Sequence, residues 1–474
     1  MPRYNTIAVI GTGPSGISAL KALSDENAFS RIRVFERRDR VGGLWHYDPI
    51  PDVFPVPGAP HPRADIEIPP SLPAFTPPVA EDKTARTGIH DALDSNVGAG
   101  TMSFTHRDFP LVNSAVSVRQ LGRGNPSRPF RVVSGYLEDL ARPYLDLISF
   151  RTTVERVEKV GRKWRVTVRQ GGHFYRNQPA EYWWQEEFDA VVVASGHYNV
   201  PLIPEVDGLT DAVEAYPGVF EHSKSFRHVN DYVDKRVVVV GGNISSADLI
   251  ADLHAVVRGS LYLSQRGSNE ALNNVFSLPG VQVKPTIKRV DSGAAGVDVV
   301  FSDGSVVQGV DKVIFATGYR LVYPFLVPDP VTPSNRVAGF YQHIFKIGDP
   351  SLALVGQVRG ALSFRVYEYQ AVAVARYYAS NNARPLPSPQ EQDVWEVERL
   401  RYKGPSALFH EIKPDFKEYF EYLREFAGPP AEGTKGYALP VFEDSWPELG
   451  FAILQLKDKY WQRIKAREKG LAKL

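Results

Sequence analysis

A glycine-rich turn near the start of the sequence has the spacing of a dinucleotide-binding loop. Gly11, Gly13 and Gly16 follow the apolar run 5–10 and open a segment with helical spacing. The first glycine permits the tight turn, the second lets the backbone approach a pyrophosphate, and the third allows close helix–strand packing. Glu36 follows at the end of the next predicted strand, where a carboxylate accepts hydrogen bonds from ribose hydroxyls and repels a 2′-phosphate. This first site therefore suits FAD or NAD rather than NADP.

A second turn of this kind begins at Gly241, after the apolar run 237–240. It continues through Asn243, Ser245 and Ser246 into a helix but lacks the middle glycine of the pattern. No acidic residue follows the next strand; Arg266 stands there instead, and a guanidinium can pair with a 2′-phosphate. A surface arginine without a ligand is the alternative. The pair of sites predicts NADPH and electron transfer from NADPH to FAD.

Composition excludes several other classes of chemistry. The 474 residues contain no cysteine, so disulfides, thiol nucleophiles, iron–sulfur clusters and cysteine zinc sites are absent, and redox chemistry must come from a bound cofactor. Lys and Arg number 55 and Asp and Glu 54, which leaves a net charge of +1 and no basic excess for nucleic acid. No metal-ligand spacing is recognisable.

The elements that would position these turns predict an α/β fold. We expect two Rossmann-like dinucleotide-binding domains, the smaller NADP domain inserted in the larger FAD domain. The predicted boundaries are 1–205 for the first part of the FAD domain, 206–325 for the NADP domain, and 326–474 for completion of the FAD domain and the C-terminal helices. Residues 49–78 contain 11 prolines and predict an irregular extended insert of unassigned role.

Several segments resemble the flavin-containing monooxygenase family of the class B flavoproteins, and most closely its fungal members. The segment 216–226 is similar to the family fingerprint F-x-G-x-x-x-H-x-x-x-[Y/F], with Tyr216 in place of Phe. Phe226 stands where the related Baeyer–Villiger enzymes usually carry Trp. Further similar segments are Glu36 to Trp45, Ser195-Gly196-His197, Phe315 to Tyr319, and Glu368-x-Gln370-Ala371.

The motifs and the resemblance together assign site residues. Asn96 is similar to the active-site asparagine of the family, whose amide would hydrogen-bond the flavin peroxide or the nicotinamide; a turn residue is the alternative. His222 is expected to be structural or near the nucleotide rather than a general base. The predicted cofactor-binding residues are Gly11, Gly13, Pro14, Ser15, Gly16, Glu36, Arg37, Gly43, Leu44, Trp45, His46, Met102, Thr317, Gly318, Gln357, Gly241, Asn243, Ser245, Ser246, Arg266, His222 and Ser223.

The resemblance implies an NADPH- and O₂-dependent monooxygenase. In this family NADPH reduces FAD, oxygen forms a C4a-hydroperoxide, and a soft nitrogen or sulfur nucleophile takes one oxygen atom. Three alternatives remain open at this point: a Baeyer–Villiger enzyme acting on ketones, an uncoupled NADPH oxidase, and a non-catalytic flavin-binding protein. No motif specifies the substrate, or nitrogen over sulfur.

The expected partners are a small amine or sulfide and O₂, without nucleic acid or membrane span. No apolar run reaches membrane length and no signal-peptide pattern is present, so we expect a cytoplasmic protein. The ending Ala472-Lys473-Leu474 is a near variant of the peroxisomal address Ser-Lys-Leu and makes the peroxisome the alternative. Aromatic residues of the tail would suit a homodimer contact, but no motif specifies the oligomeric state.

Overall fold

The computed structural model describes residues 1–57, 66–80, 82, 85–294 and 296–471. Residues 58–65 of the proline-rich insert and the tripeptide Ala472-Lys473-Leu474 lie outside this description, and so does the peroxisomal prediction. The strands are β1 Thr6–Ile10, β2 Arg31–Phe35, β3 Ala74–Thr76, β4 Ile148–Ser149, β5 Thr152–Val160, β6 Lys163–Tyr175, β7 Gln178–Phe188, β8 Ala190–Val193, β9 Val200–Pro201, β10 Phe220–His222, β11 Val237–Val240, β12 Leu261–Ser264, β13 Val281–Lys284, β14 Ile287–Gly293, β15 Gly296–Phe301, β16 Val306–Val307, β17 Lys312–Phe315, β18 Tyr319–Arg320, β19 Leu326–Val327, β20 Phe340–Tyr341, β21 Phe345–Lys346 and β22 Leu352–Leu354. The α-helices are α1 Pro14–Asp25, α2 Ala99–Met102, α3 Ala115–Leu121, α4 Phe130–Ala141, α5 Leu209–Ala215, α6 Ile244–Leu253, α7 Asn273–Phe276, α8 Phe364–Ala379, α9 Pro389–Lys403, α10 Phe416–Ala427 and α11 Trp446–Leu471.

The first sheet combines strands from both ends of the chain. Its order is β20-β21-β22-β8-β1-β2-β4, and the five strands from β22 to β4 are parallel. The central strands β8 and β1 are almost wholly apolar because both faces of the sheet are covered. Helices α1, α4 and α8 lie on one side, and the sheet β19-β5-β6-β7-β3, which is antiparallel except for its β19–β5 pair, lies on the other. The register places Ile10, Phe35 and Val193 at one sheet edge, so the turns that follow them meet there.

A second parallel sheet is built within residues 220–315. Its order is β10-β17-β11-β12-β13, and Val240 is aligned with Ser264 and with Phe315 at the carboxyl ends of the strands. Helices α6, α7 and α11 cover one face, and α5 with the antiparallel sheet β14-β15-β16 covers the other. These two sheets give the α/β fold with two Rossmann-like units that the turns predict, one inserted in the other.

The chain enters and leaves the second unit through one short two-stranded sheet. Val200–Pro201 pairs with Tyr319–Arg320 in antiparallel register, so the two crossings are held side by side. The proline-rich insert also contacts this crossing. The Lys224 ammonium pairs with the Asp52 carboxylate at 2.5 Å and donates to the Asn199 carbonyl at 2.7 Å.

Three details differ from the sequence-based expectation. Ala74–Thr76 of the proline-rich insert forms an edge strand against β7 rather than irregular chain. The apolar run 188–194 has the pattern of one buried strand but is divided, because Phe188 ends β7 and only Ala190–Val193 joins the first sheet. The long helix α11, expected to complete the first domain, packs on both units: Trp446 lies in the core of the first and Trp461 in that of the second. Among the described residues, no helix is long and apolar enough to cross a membrane.

Candidate active site

The first glycine-rich turn forms a cradle without side chains. A Cβ at Gly13 would lie 3.7 Å from the Gly43 Cα, and one at Gly43 would come within 2.8 Å of the Gly13 Cα. Gly11 has φ of +97°, and a Cβ there would lie 2.8 Å from the Ala194 carbonyl oxygen. Gly16 packs so closely that its Cβ would meet the Gly11 carbonyl oxygen at 2.0 Å. These glycines let the turn pack closely on its neighbours, while Gly11, Gly13 and Gly43 also line a cavity at the N-terminus of α1 without side chains of their own, which suits a diphosphate.

Glu36 organises this turn from the neighbouring strand. Its carboxylate accepts hydrogen bonds from the Thr12 amide at 2.9 Å, the Thr12 hydroxyl at 2.6 Å and the Arg38 amide at 2.8 Å. A carboxylate has about four lone-pair sites, so acceptor capacity remains for a ribose hydroxyl. Arg37 beside it donates to the Asn199 side-chain oxygen at 3.3 Å. The acidic residue therefore lies where a ribose-binding carboxylate is required.

The second turn differs in construction because its helix is capped by its own side chains. The Asn243 side-chain oxygen accepts from the Ile244 amide at 2.9 Å, and the Ser246 hydroxyl accepts from the Asn243 amide at 3.0 Å. Gly241 has φ of +137°, and a Cβ there would lie 2.5 Å from the Ala316 carbonyl oxygen. Glycine at 241 therefore lets this turn pack closely on the chain after β17, although the middle glycine of the motif is missing.

Arg266 follows β12 and lies exposed at the rim of this second cradle. Within the described part of the chain its guanidinium has no ion-pair or hydrogen-bond partner. Asn269 next to it donates to the Gly242 carbonyl at 3.0 Å and so fixes the loop that carries Arg266. A free guanidinium at this position can take a phosphate in a bidentate contact.

Both cradles open into one cavity of 1720 Å³. Residues at the carboxyl ends of strands in both sheets line it, namely Ile10, Phe35, Val240 and Ser264, and these ends are where open α/β sheets bind their ligands. The predicted site residues that line it are Gly11, Gly13, Pro14, Ser15, Glu36, Arg37, Gly43, Leu44, Trp45, Asn96, Gly241, Asn243, Ser245, Arg266, Thr317 and Gly318.

The remaining predicted cofactor-binding residues do not line the cavity, and most of them have a packing role instead. Gly16 serves the helix–strand contact, Met102 is buried in the first core, and Ser246 is fully buried as the cap of α6. Ser223 opens a short 3₁₀ helix. The residues outside the lining are Gly16, His46, Met102, His222, Ser223, Ser246 and Gln357.

Two histidines and a glutamine of that set are engaged with protein groups instead. The His222 ring lies 3.0 Å from the Gly318 carbonyl and accepts from the Lys224 amide at 3.2 Å; burial lowers its pKa to about 4, so it is neutral and structural. The His46 ring contacts the Val41 carbonyl, and the Gln357 side-chain oxygen accepts from the Tyr323 hydroxyl. Motif spacing indicates where these residues lie along the chain, but it does not indicate the direction of their side chains.

Asn96 lies on the cavity wall with an exposed side chain that has no hydrogen-bond partner among the described residues. Its loop is fixed on both sides. The Ser95 amide donates to the Arg128 carbonyl at 2.8 Å, and the Gly98 amide donates to the Gly450 carbonyl at 3.0 Å. An amide on the wall of the shared cavity, without a protein partner among the described residues, is available to bond a ligand. The role of Asn96 in the active site stays a prediction.

The cavity also has a charged wall that sequence analysis missed. Lys457 of α11 pairs with Asp248 of α6 at 2.6 Å; burial acts to lower the pKa of Lys457, but the Asp248 carboxylate outweighs it and raises that pKa. Burial and then the charge of Asp248 raise the pKa of Asp252 to about 7. Burial lowers the pKa of His90 to about 4. No sequence motif predicts this wall, because its residues come from segments that are far apart in the sequence.

A strained turn before α8 forms another unpredicted part of the lining. Leu362 and Ser363 have φ of +58° and +56°, although neither is glycine. Consecutive residues in this region are costly and occur where the surrounding structure requires them, often at functional sites. Phe364 follows and meets the Trp45 ring edge-on at 6.0 Å between centroids.

Comparison with known proteins agrees with this geometry. Residues 130–278 and 267–432 match the model of the flavin-binding monooxygenase-like family, and residues 9–64 match an NAD(P)-binding Rossmann-like domain. The flavin-containing monooxygenase FMO GS-OX5 of Arabidopsis thaliana is 29% identical, over 97% of this chain and 95% of its own length. The flavin-containing monooxygenase iboF of Amanita muscaria is 29% identical, over 88% of this chain and 84% of its own length.

Among solved structures, that of S-allyl-L-cysteine S-oxygenase from Allium sativum superposes with a TM-score of 0.72 at 23% identity, covering 100% of both chains. This likeness concerns the fold, whereas the family match spans well over half of the sequence, including the second dinucleotide cradle. The chain therefore belongs to the flavin-binding monooxygenase-like family.

Proposed function

We propose that this protein is an NADPH- and O₂-dependent monooxygenase that transfers one oxygen atom to a soft sulfur or nitrogen atom of a small molecule. FAD and NADPH are the cofactors of this FAD-dependent enzyme. In the proposal FAD occupies the cradle at Gly11 and NADPH the cradle at Gly241. The domains are then 1–205, 206–325 and 326–474, with α11 belonging to both units.

The observation that carries the proposal is the single cavity shared by the two cradles, with Asn96 on its wall. FAD, once bound and reduced, supplies the activated oxygen, so the chain needs no nucleophile of its own. Its tasks are to hold the two cofactors against each other, to exclude water, and to offer the Asn96 amide as a hydrogen-bond donor or acceptor.

The residues present fit these cofactors. The missing Cβ atoms of Gly11, Gly13 and Gly43 leave backbone for the FAD diphosphate, and Glu36 retains acceptor capacity for the adenosine ribose. Arg266 is available for the 2′-phosphate of NADPH. Thr317 and Gly318 follow β17 at the edge where the two units meet.

The choice of a soft heteroatom over a ketone rests on Phe226 and on the relatives. Phe226 is buried and stacks on Tyr232 at 5.4 Å between centroids, so the position where Baeyer–Villiger enzymes carry Trp is a packing residue here. One structural relative is by its name an S-oxygenase of S-allyl-L-cysteine. A sulfide is accordingly the first substrate class to test.

The testing experiment supplies the FAD-loaded protein with NADPH and ¹⁸O₂ and compares methyl phenyl sulfide, a tertiary amine and a cyclic ketone. We expect one ¹⁸O atom in the sulfoxide or the N-oxide and no lactone from the ketone. Quantitative release of hydrogen peroxide with every substrate would make the protein an oxidase. A flavin that NADPH cannot bleach under anaerobic conditions would make it a non-catalytic flavoprotein.

Asn96→Ala tests the proposed active-site amide. We expect NADPH to reduce the flavin at the wild-type rate under anaerobic conditions, because Asn96 belongs to neither cradle. The yield of sulfoxide per NADPH should fall about tenfold, the effect of losing one hydrogen bond to a reacting group, with hydrogen peroxide making up the difference. An unchanged yield would remove Asn96 from the mechanism.

A further inference from the structure

Helix α11 packs in the cores of both dinucleotide-binding units. Near its N-terminus the Trp446 ring packs against Phe420, with centroids 5.7 Å apart, in the first core. Towards its C-terminus Trp461 lies in the second core, and Lys465 donates to the Ser277 hydroxyl at 2.7 Å. A continuous helix that is anchored at both ends transmits the position of one unit to the other.

The same helix touches the loop that carries Asn96. The Gly98 amide donates to the Gly450 carbonyl, and a Cβ at Gly98 would lie only 2.1 Å from the Leu449 carbonyl oxygen. A Cβ at Gly450 would lie 2.8 Å from the Leu362 side chain of the strained turn before α8. Two glycines therefore let α11 and α2 meet backbone to backbone, two residues from Asn96.

Between these two anchors α11 forms part of the cavity wall. Phe451, Ile453, Lys457, Tyr460 and Trp461 line the cavity, and Lys457 pairs there with Asp248 of the second unit. The helix thus touches the Asn96 loop at one end of the wall and the helix behind the second cradle at the other.

From these contacts we infer that α11 is a positioning element of the oxygenation site: it fixes the Asn96 loop relative to the NADPH cradle and closes the wall between them against water. This inference rests on the proposed function. Oxygen transfer needs the reacting groups aligned closely, and displacement by about 1 Å can cost on the order of 100-fold in rate. When α11 shifts, reduction of FAD should continue, but activated oxygen should be lost as hydrogen peroxide.

The first test compares two glycines of one short segment. Gly98→Ala places a methyl group against the α11 backbone, whereas Gly100→Ala meets nothing within 4 Å and serves as the matched control. With NADPH, O₂ and saturating methyl phenyl sulfide, Gly98→Ala should lower the sulfoxide yield per NADPH about tenfold and raise hydrogen peroxide to match. FAD content and the anaerobic rate of flavin bleaching should equal those of Gly100→Ala.

A second pair of variants tests the other end of α11. It shows whether α11 positions the oxygenation site even if Gly98→Ala fails to fold. Lys457→Met removes the ion pair with Asp248, and Lys459→Met, at an exposed position on the same helix without a partner among the described residues, is the control. Positioning predicts a lower yield at saturating sulfide with an unchanged KM for the sulfide. A raised KM with an unchanged saturating yield would mean that Lys457 contacts substrate, and would overturn the inference.

The wild-type protein distinguishes failure of the α11 inference from failure of the proposed function. If it forms sulfoxide efficiently, and Gly98→Ala and Lys457→Met give the same sulfoxide yield per NADPH, the positioning role of α11 is wrong and the proposed function stands. If the wild-type protein itself releases only peroxide with sulfide and amine, the proposed function falls and the inference with it.

Discussion

Arg266 is the residue on which the preference for NADPH depends. It is exposed at the rim of the second cradle, and no acidic residue within the described ranges neutralises it. A charge-assisted hydrogen bond to a phosphate contributes about 1.5–3 kcal/mol, which corresponds to roughly 10–100-fold in binding. Arg266→Ala should therefore lower kcat/KM for NADPH by about that factor and leave kcat/KM for NADH nearly unchanged, as measured by anaerobic flavin reduction with each nucleotide.

The control for this variant is an arginine on the same domain that faces away from the cavity. Arg289 of β14 is exposed and pairs with Asp291 at 2.8 Å. Arg289→Ala removes the same charge from the domain without touching the cradle, so it should keep the preference for NADPH. An Arg266→Ala protein that still prefers NADPH as strongly as Arg289→Ala does would show that the 2′-phosphate is held elsewhere.

For single residues, the sequence predicts which backbone turns form the cradles better than it predicts which side chains point into them. Gly11, Gly13 and Glu36 line the cavity because their function depends on the turn itself, which spacing defines. Ser246 and Gln357 lie at the right turns, but one caps α6 and the other bonds Tyr323. Spacing along the chain does not specify in which direction a side chain points.

At the scale of elements, two glycines in helices have opposite roles. Gly16 of α1 touches the Gly11 carbonyl, whereas Gly135 in the middle of α4 would place a Cβ in open space. Gly135→Ala should raise the free energy of unfolding by about 0.5–1 kcal/mol, because alanine loses less backbone entropy in a helix. Gly16→Ala should destabilise by several kcal/mol or prevent folding, since strand and helix must separate. Urea unfolding of the FAD-loaded proteins measures both, and a stable Gly16→Ala protein would contradict the packing.

Elements with strong local patterns are predicted well, and their partners are not. The apolar run 237–240 coincides with β11. Residues 363–378, whose spacing predicts a helix, form α8 with each end shifted by one residue. The spacing of Leu449, Ile453, Leu456, Tyr460 and Ile464 places them on one helical face of the tail, but it does not show that this helix packs on two units. Leu449 is in fact 48% exposed. Lys457 and Asp248 are 209 residues apart, so their pairing follows only from the assembled fold.

For the whole molecule, two sets of contacts hold the units in one arrangement. One is α11, and the other is the attachment of the proline-rich insert to the domain crossing. The Arg227 guanidinium donates to the Asp48 carbonyl at 2.6 Å and to the Thr87 carbonyl at 2.9 Å, so it binds the chain just before and after the insert. The contact of Lys224 with the Asn199 carbonyl lies next to the crossing, so the attachment should set the angle between the cradles as well as stability.

The buried ion pair of this attachment gives a prediction for the whole fold. Both side chains are almost fully buried, Lys224 with 1% exposure and Asp52 with 4%, and burial raises the pKa of Asp52 and lowers that of Lys224. Lys224→Met leaves the carboxylate without its cation, which should cost about 3–5 kcal/mol of the free energy of unfolding at pH 8. The raised pKa of Asp52 means that the folded state binds a proton more readily than the unfolded state, so this loss should shrink as the pH falls towards 5.

The double variant Asp52→Asn/Lys224→Met distinguishes charge from packing. It removes both charges at nearly constant volume, so it should regain most of the stability lost at pH 8, and its stability relative to wild type should change little between pH 5 and pH 8. Urea unfolding of the FAD-loaded proteins at the two pH values provides the comparison. A double variant as unstable as Lys224→Met would mean that the hydrogen bond from Lys224 to the Asn199 carbonyl, rather than the ion pair, fixes the insert to the domain crossing.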